Sequence, residues 1–201
     1  MEKPFSEACE RNRGPLLEIL REVFADRKSV LEIGSGSGQH AVHFAAHLPH
    51  LVWQTSEMPM HHAGIRAWLD EAQLPNLHPP LALDVSADWP AGPYDAAFTT
   101  NTLHIMSWPQ VEQFFAGAAR VLAPGAVLAA YGPFNYDGVF TSDSNAQFDR
   151  WLKSRDPASG IRDFAQVCAL AAAHGFEFTR DVPMPSNNRT LLWRRLSESA
   201  A

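Results

Sequence analysis

Three glycines at alternate positions, Gly34, Gly36 and Gly38, follow the apolar run Val30-Leu31-Glu32-Ile33 and precede a helical stretch from Ala41 to Leu48. Strand, glycine loop and helix in that order cradle a nucleotide-type ligand. Glycine lets a ligand come close to the backbone, and the free N–H groups at the start of the helix attract a carboxylate or phosphate. The third glycine comes one residue earlier than in the dinucleotide fingerprint, because Gln39 holds the fingerprint's position. Glu57 lies 19 residues beyond Gly38 and ends the next apolar run. An acid at that spacing accepts hydrogen bonds from both ribose hydroxyls; the alternative is a cap on the helix that follows. Asp84 ends a third run, either as a ligand group or as a cap. Beyond a fourth run, Asn101-Thr102-Leu103-His104 falls where open α/β sheets bind ligands, outside the carboxyl ends of the strands. His104 titrates near neutrality and can take a proton from a substrate; the alternative is a packed histidine holding that loop.

Other chemistries have weaker support. His40, His43 and His47 share one helix face and His61-His62 are adjacent, but none has the spacing to a carboxylate that a metal site needs. No metal is expected, and these histidines read as a solvated face. The net charge of −6 argues against a nucleic-acid partner. Cys9 and Cys168 are far apart, which suits a reducing compartment without disulfides. Met1-Glu2-Lys3-Pro4 opens no signal peptide, and no apolar run approaches a membrane span. The expectation is a cytoplasmic protein with one domain over residues 1–201 and no membrane partner.

The elements that must position these groups follow from periodicity. A helix of about three turns starts at Pro15 and buries Leu16, Ile19, Leu20 and Val23. A polar segment with two arginines precedes it. Strands are expected near 51–55, 80–83, 94–100 and 126–131, with helices over 60–72 and 109–122 between them. Residues 132–160 form a long insert with one helix, readable as a lid or pocket wall. A helix over 162–174 ends at Gly175, and strands 176–182 and 190–195 close the chain as an antiparallel hairpin. The fold class is α/β, a doubly wound, mostly parallel sheet, for which a resemblance to class I methyltransferases, carried by the glycine loop and the closing hairpin, implies seven strands in the order 3-2-1-4-5-7-6.

The pattern Glu32-x-Gly34-x-Gly36-x-Gly38, with the closing hairpin, resembles motif I and the sheet of class I S-adenosylmethionine-dependent methyltransferases. Further stretches resemble the methyltransferase-like protein 26 family: Glu10-Arg11-Asn12-Arg13, Leu31 to His40, Trp53 to Glu57, Asn101 to Ile105, Tyr131-Gly132-Pro133-Phe134, Ser144-Asn145, Arg155-Asp156-Pro157, Gly160 to Asp163 and Pro185-Ser186-Asn187-Asn188. The likeness covers nearly the whole chain. One departure is Glu57, where that family often has Asp; both accept from ribose.

The resemblance implies S-adenosyl-L-methionine as cofactor and methyl transfer as reaction. Asn12, Arg13, Glu32, Gly34, Ser35, Gly36, Gly38, His40, Glu57, Asp84, Val85 and Asn101 would hold the cofactor, with Asp84 on the adenine amino group and Val85 against the ring. Asn101 would take the cofactor's amino group on its carbonyl. His104 and Tyr131 would be catalytic. Tyr131, Asn145, Arg162, Asn187 and Asn188 would bind a small, polar acceptor. Arg13 has the alternative of gripping the cofactor carboxylate or reaching the acceptor, and Arg162 that of a structural pair with Asp156. A nicotinamide-dependent oxidoreductase and a non-catalytic cofactor-binding partner protein are the competing functions. The early third glycine and the closing hairpin disfavour the first.

Overall fold

A computed structural model describes residues 3–197. Met1 and Glu2, half of the opening stretch read as carrying no leader, lie outside the described residues. Nine strands and six α-helices are present among the described residues: α1 Glu7–Val23, β1 Ser29–Ile33, α2 Gln39–His47, β2 Val52–Glu57, α3 His62–Ala72, β3 Leu77–Ala82, β4 Tyr94–Thr100, α4 Trp108–Val121, β5 Leu122–Gly132, β6 Phe134–Asn135, α5 Asp143–Arg155, β7 Arg162–Asp163, α6 Phe164–Ala173, β8 Phe176–Met184 and β9 Asn188–Arg195. The main sheet has the order β3-β2-β1-β4-β5-β9-β8. Counting only its own strands, this is the expected 3-2-1-4-5-7-6. β1 to β5 run parallel, and β9 is antiparallel to both β5 and β8.

Side chains alternate across the sheet, as strand geometry requires. Val30, Ala96, Phe98, Ala129 and Tyr131 face α1, α2 and α3, where Leu16, Leu20, Phe44 and Ile65 complete one core. Leu31, Ile33, Ala97, Leu128 and Ala130 face α4 and α6, where Val111, Phe114, Phe115 and Val167 complete the other. Near-continuous apolar runs follow from burial on both faces.

Several boundaries differ from expectation: β3 starts at Leu77 rather than residue 80, β5 at Leu122 rather than residue 126, and two helices start elsewhere. The first helix starts at Glu7, eight residues before Pro15, because Ser6 caps it by accepting from the Cys9 N–H. Pro15 lies inside the helix, where its ring nitrogen offers no donor to the Arg11 carbonyl. The polar segment is therefore the first two turns of α1. The last helix starts at Phe164 rather than at residue 162, capped by the Asp163 carboxylate, which accepts from the N–H groups of Ala165 and Gln166. Arg162 and Asp163 instead pair with Phe134 and Asn135 as a short parallel ribbon. That ribbon ties both ends of the 132–160 insert together.

Candidate active site

The carboxyl ends of β1, β4 and β5 and the amino end of β9 lie at one edge of the sheet, and the glycine loop starts there. Gly34, Gly36 and Gly38 all have positive φ. At Gly34 a Cβ would lie 2.5 Å from the Thr102 methyl, so the loop packs against the segment after β4. At Gly36 a Cβ would meet nothing within 4 Å. The outer face of the loop is therefore an open backbone surface, the feature a cofactor cradle needs.

Glu57 ends β2 and stays at the loop. Its Oε2 accepts from the Gly36 N–H at 2.9 Å and its Oε1 accepts from the Met58 N–H at 2.8 Å. Ser35 closes the turn from inside: its hydroxyl accepts from the Ser56 N–H at 3.1 Å and donates to the Glu32 carboxylate at 2.8 Å. Glu32 is wholly buried, on the same sheet face as Trp53, whose indole N–H also donates to it at 3.1 Å. Burial pushes the Glu32 carboxyl up to about 7, against those two hydrogen bonds. Asp84 follows β3, and its Oδ1 accepts from the Ser86 N–H at 2.8 Å. Val85 is buried, and its carbonyl accepts from the Trp89 indole. Asn101, directly after β4, has φ 57°, a conformation that asparagine tolerates. Its N–H donates to the Tyr131 carbonyl at 2.8 Å, joining the ends of β4 and β5.

Beside these strand ends is a cavity of about 860 Å³. Asn12, Asn101, His104, Tyr131, Asn145 and Asn188, all named from the sequence as candidates, line it. His104 is buried, edge-on to Phe148 with ring centroids 5.3 Å apart. Burial, and then the charge of Arg162, lower its pKa to about 4, so the imidazole is neutral at pH 7. Burial also raises the Tyr131 phenol, against hydrogen bonding with Asn12 and Asn188. The Asn145 amide donates to the Asn187 carbonyl at 3.1 Å, fastening α5 to the β8–β9 turn.

Other expected residues lie elsewhere. His40 belongs to no solvated face: it is buried between α1 and β4, with Nε2 2.6 Å from Asn12 Oδ1 and Nδ1 3.3 Å from the Thr100 hydroxyl. Burial lowers its pKa to about 4. Arg13 pairs with Glu10 at 2.8 Å, and it is Arg11, one helix position away from Asn12, that lines the cavity. Helical spacing explains the exchange, since residues 8, 11 and 12 share a face and 13 does not. Arg162 forms no pair with Asp156. Its guanidinium donates to the carbonyls of Leu103 and Ala158 at 3.0 Å each, and to that of Met106. It thereby holds the loop after β4 onto the end of the insert. Asn187 is exposed, with φ 57°. The cavity also has an apolar side that sequence reasoning missed: Ile105, Pro133, Phe148, Trp151 and Pro185. The spacing of Ser144, Phe148 and Trp151 puts them on one face of α5, and the packing of that helix turns the face toward the cavity. Among the described residues no group of three His, Cys, Asp or Glu side chains could hold a metal ion.

The family described as "Protein of unknown function (DUF938)" matches residues 3–195. The chain belongs to the DUF938 family. Solved structures show what fold this DUF938 chain has. An O-methyltransferase family protein from Burkholderia thailandensis superposes with a TM-score of 0.83 at 17% identity, over 96% of this chain and 59% of the other. An O-methyltransferase family 2 protein from Planctomyces limnophilus, solved with apigenin, gives 0.84 at 15% identity, over 94% and 58%. The S-adenosylmethionine-dependent methyltransferase SibL, solved in its apo form, gives 0.81 at 21% identity, over 94% and 56%. The DUF938 chain thus has the Rossmann-like fold of class I methyltransferases and spans somewhat under three fifths of the length of these relatives. No helix among the described residues is long and apolar enough to cross a membrane.

Proposed function

We propose that this DUF938 protein is a cytoplasmic S-adenosylmethionine-dependent methyltransferase acting on a small molecule, with oxygen as the acceptor atom, and that it shares its function with the methyltransferase-like protein 26 family. The observation that carries the reading is the open face of Gly36, bounded by Glu57 at the carboxyl edge of the sheet that also bears the cavity lined by Asn101, His104 and Tyr131. Methyltransferase-fold structures named for oxygen acceptors, one of them solved with apigenin, support the choice of atom and ligand size.

In this reading Gly34, Gly36 and Gly38 give the cofactor its backbone surface. Glu57 accepts from the ribose, Asp84 from the adenine amino group, and the Asn101 carbonyl from the cofactor's amino group. When bound, S-adenosylmethionine would supply a methyl carbon activated by the positive charge of the sulfur that carries it, for transfer to an acceptor lone pair. The chain's own residues align the acceptor and exclude water, contributions worth about 7–11 kcal/mol where alignment is good. His104, neutral at pH 7, accepts the hydrogen bond of the acceptor hydroxyl and takes its proton. Tyr131, held by Asn12 and Asn188, orients the acceptor. Residues 132–160 supply one wall of the cavity through Pro133, Ser144, Asn145, Phe148 and Trp151.

Titration calorimetry tests the reading. S-adenosylhomocysteine should bind one site per chain and raise Tm, and a nicotinamide dinucleotide should do neither. The reverse pattern overturns it.

A further inference from the structure

The two sides of the cavity differ in chemistry. One side is polar and uncharged: Asn12, Asn101, Tyr131, Asn145 and Asn188. The other is apolar and comes from the start of the loop after β4 and one face of α5: Ile105, Phe148 and Trp151. A helix face is expected to bury its large apolar side chains in the core. On α5 it is Asn145, Asp149 and Leu152 that are buried, while Trp151 is 49% exposed and neighbouring Ile105 57% exposed. Phe148 and Trp151 are held as a unit, nearly parallel at 16° with ring centroids 5.6 Å apart. The Arg155 guanidinium lies over the Trp151 ring at 4.9 Å and His104 meets Phe148 edge-on. Two aromatic rings fixed from both sides, and turned toward a cavity instead of the core, form a preorganised apolar wall. Exposing such a wall to water is unfavourable unless something covers it in function. No carboxylate lines the cavity, and Arg11 is its one cation among the lining residues.

We infer that the acceptor is a flat aromatic alcohol, its ring against Phe148 and Trp151 and its hydroxyl turned to His104. This rests on the methyltransferase reading of the same site. Flatness is selected because Arg155, His104 and the mutual stacking occupy the flanks of the two rings, so the wall presents ring edges, and a flat aromatic face gains from edge-on contact beyond the area it buries. The wall lies beside His104, so a ring seated on it brings a hydroxyl at its edge to the imidazole. The absence of carboxylates leaves nothing to attract a cationic amine.

The probes are 2-naphthol and decahydro-2-naphthol, which share a skeleton and a hydroxyl and differ in flatness. Binding of each is measured by ligand-observed NMR with the full chain saturated in S-adenosylhomocysteine. The expected result is at least tenfold tighter binding of 2-naphthol. That preference should fall to less than threefold in Trp151→Ala and in Phe148→Ala, with S-adenosylhomocysteine affinity unchanged in both. Equal affinity for the two probes, no binding of either, or a preference that survives both substitutions overturns the inference while leaving the cofactor reading intact. If S-adenosylhomocysteine itself fails to bind, it is the cofactor reading that falls, and the inference with it.

Discussion

Glu57 Oε2 accepts a hydrogen bond from the Gly36 N–H at 2.9 Å, so the acid that ends β2 and the middle glycine of the loop after β1 are locked in one geometry. The residues are 21 positions apart and become neighbours through the parallel pairing of β1 with β2, in which Ile33 sits beside Ser56. One carboxylate thus shapes the loop and, in the proposed function, also accepts from the cofactor's ribose.

The loop separates folding from binding. Gly34→Ala should unfold the chain or lower Tm steeply, because its methyl would collide with Thr102 at a φ of 77°. Gly36→Ala should cost only the backbone penalty, about 1–2 kcal/mol, since open space surrounds it. It should nevertheless weaken S-adenosylhomocysteine binding at least tenfold. Thermal unfolding and calorimetry on the two variants check this; equal loss of Tm in both would contradict it.

Asp84→Ala should weaken S-adenosylhomocysteine binding more than His104→Ala does. The carboxylate follows β3 with Oδ1 spent on the Ser86 N–H, while His104 belongs to the acceptor cavity. Calorimetry giving the opposite order would show that the roles along the strand ends are misassigned.

Glu32 makes a pH-dependent stability prediction. Its folded pKa is raised from 4.5 to about 7, chiefly by burial. Between those values the folded chain binds more protons than the unfolded one, so this group's contribution is fully present below pH 4.5 and is lost as pH rises through 7. Glu32→Gln removes the charge and keeps an acceptor for Ser35 and Trp53. The variant's Tm, relative to the parent, should therefore rise from about pH 5 and level off above about pH 8. A difference that stays constant with pH would exclude a titrating carboxylate there.

Arg162 acts on His104 through the loop it holds. Arg162→Gln should lower stability by on the order of 2–3 kcal/mol, because charge-assisted bonds to backbone carbonyls are lost. Losing the neighbouring cation should also move the His104 pKa upward from about 4, though not to its ordinary value, since burial is the larger cause. The acid limb of methyl transfer, measured as kcat/KM against pH, should shift to higher pH. A profile that keeps its position while only Tm falls would make Arg162 purely a scaffold.

Local patterns in the chain determined the α/β class, the apolar strand runs, the glycine loop and the acids that end β2 and follow β3, because each depends on residues close in sequence. Gly34-Ser35-Gly36-Ser37-Gly38 can do little but turn, and an apolar run between helices must be a buried parallel strand. The tertiary structure alone decided which polar side chains face the cavity. Arg11 rather than Arg13 lines it, since the two-residue step between them turns a side chain by about 200° around the helix. His40 became a core residue because Asn12, on a different helix, reached its ring. Arg162 was claimed by three carbonyls from segments up to 59 positions away. Phe148 and Trp151 became a cavity wall because α5 buries its polar residues instead. Contacts of that range depend on how elements pack, which no spacing within one element encodes.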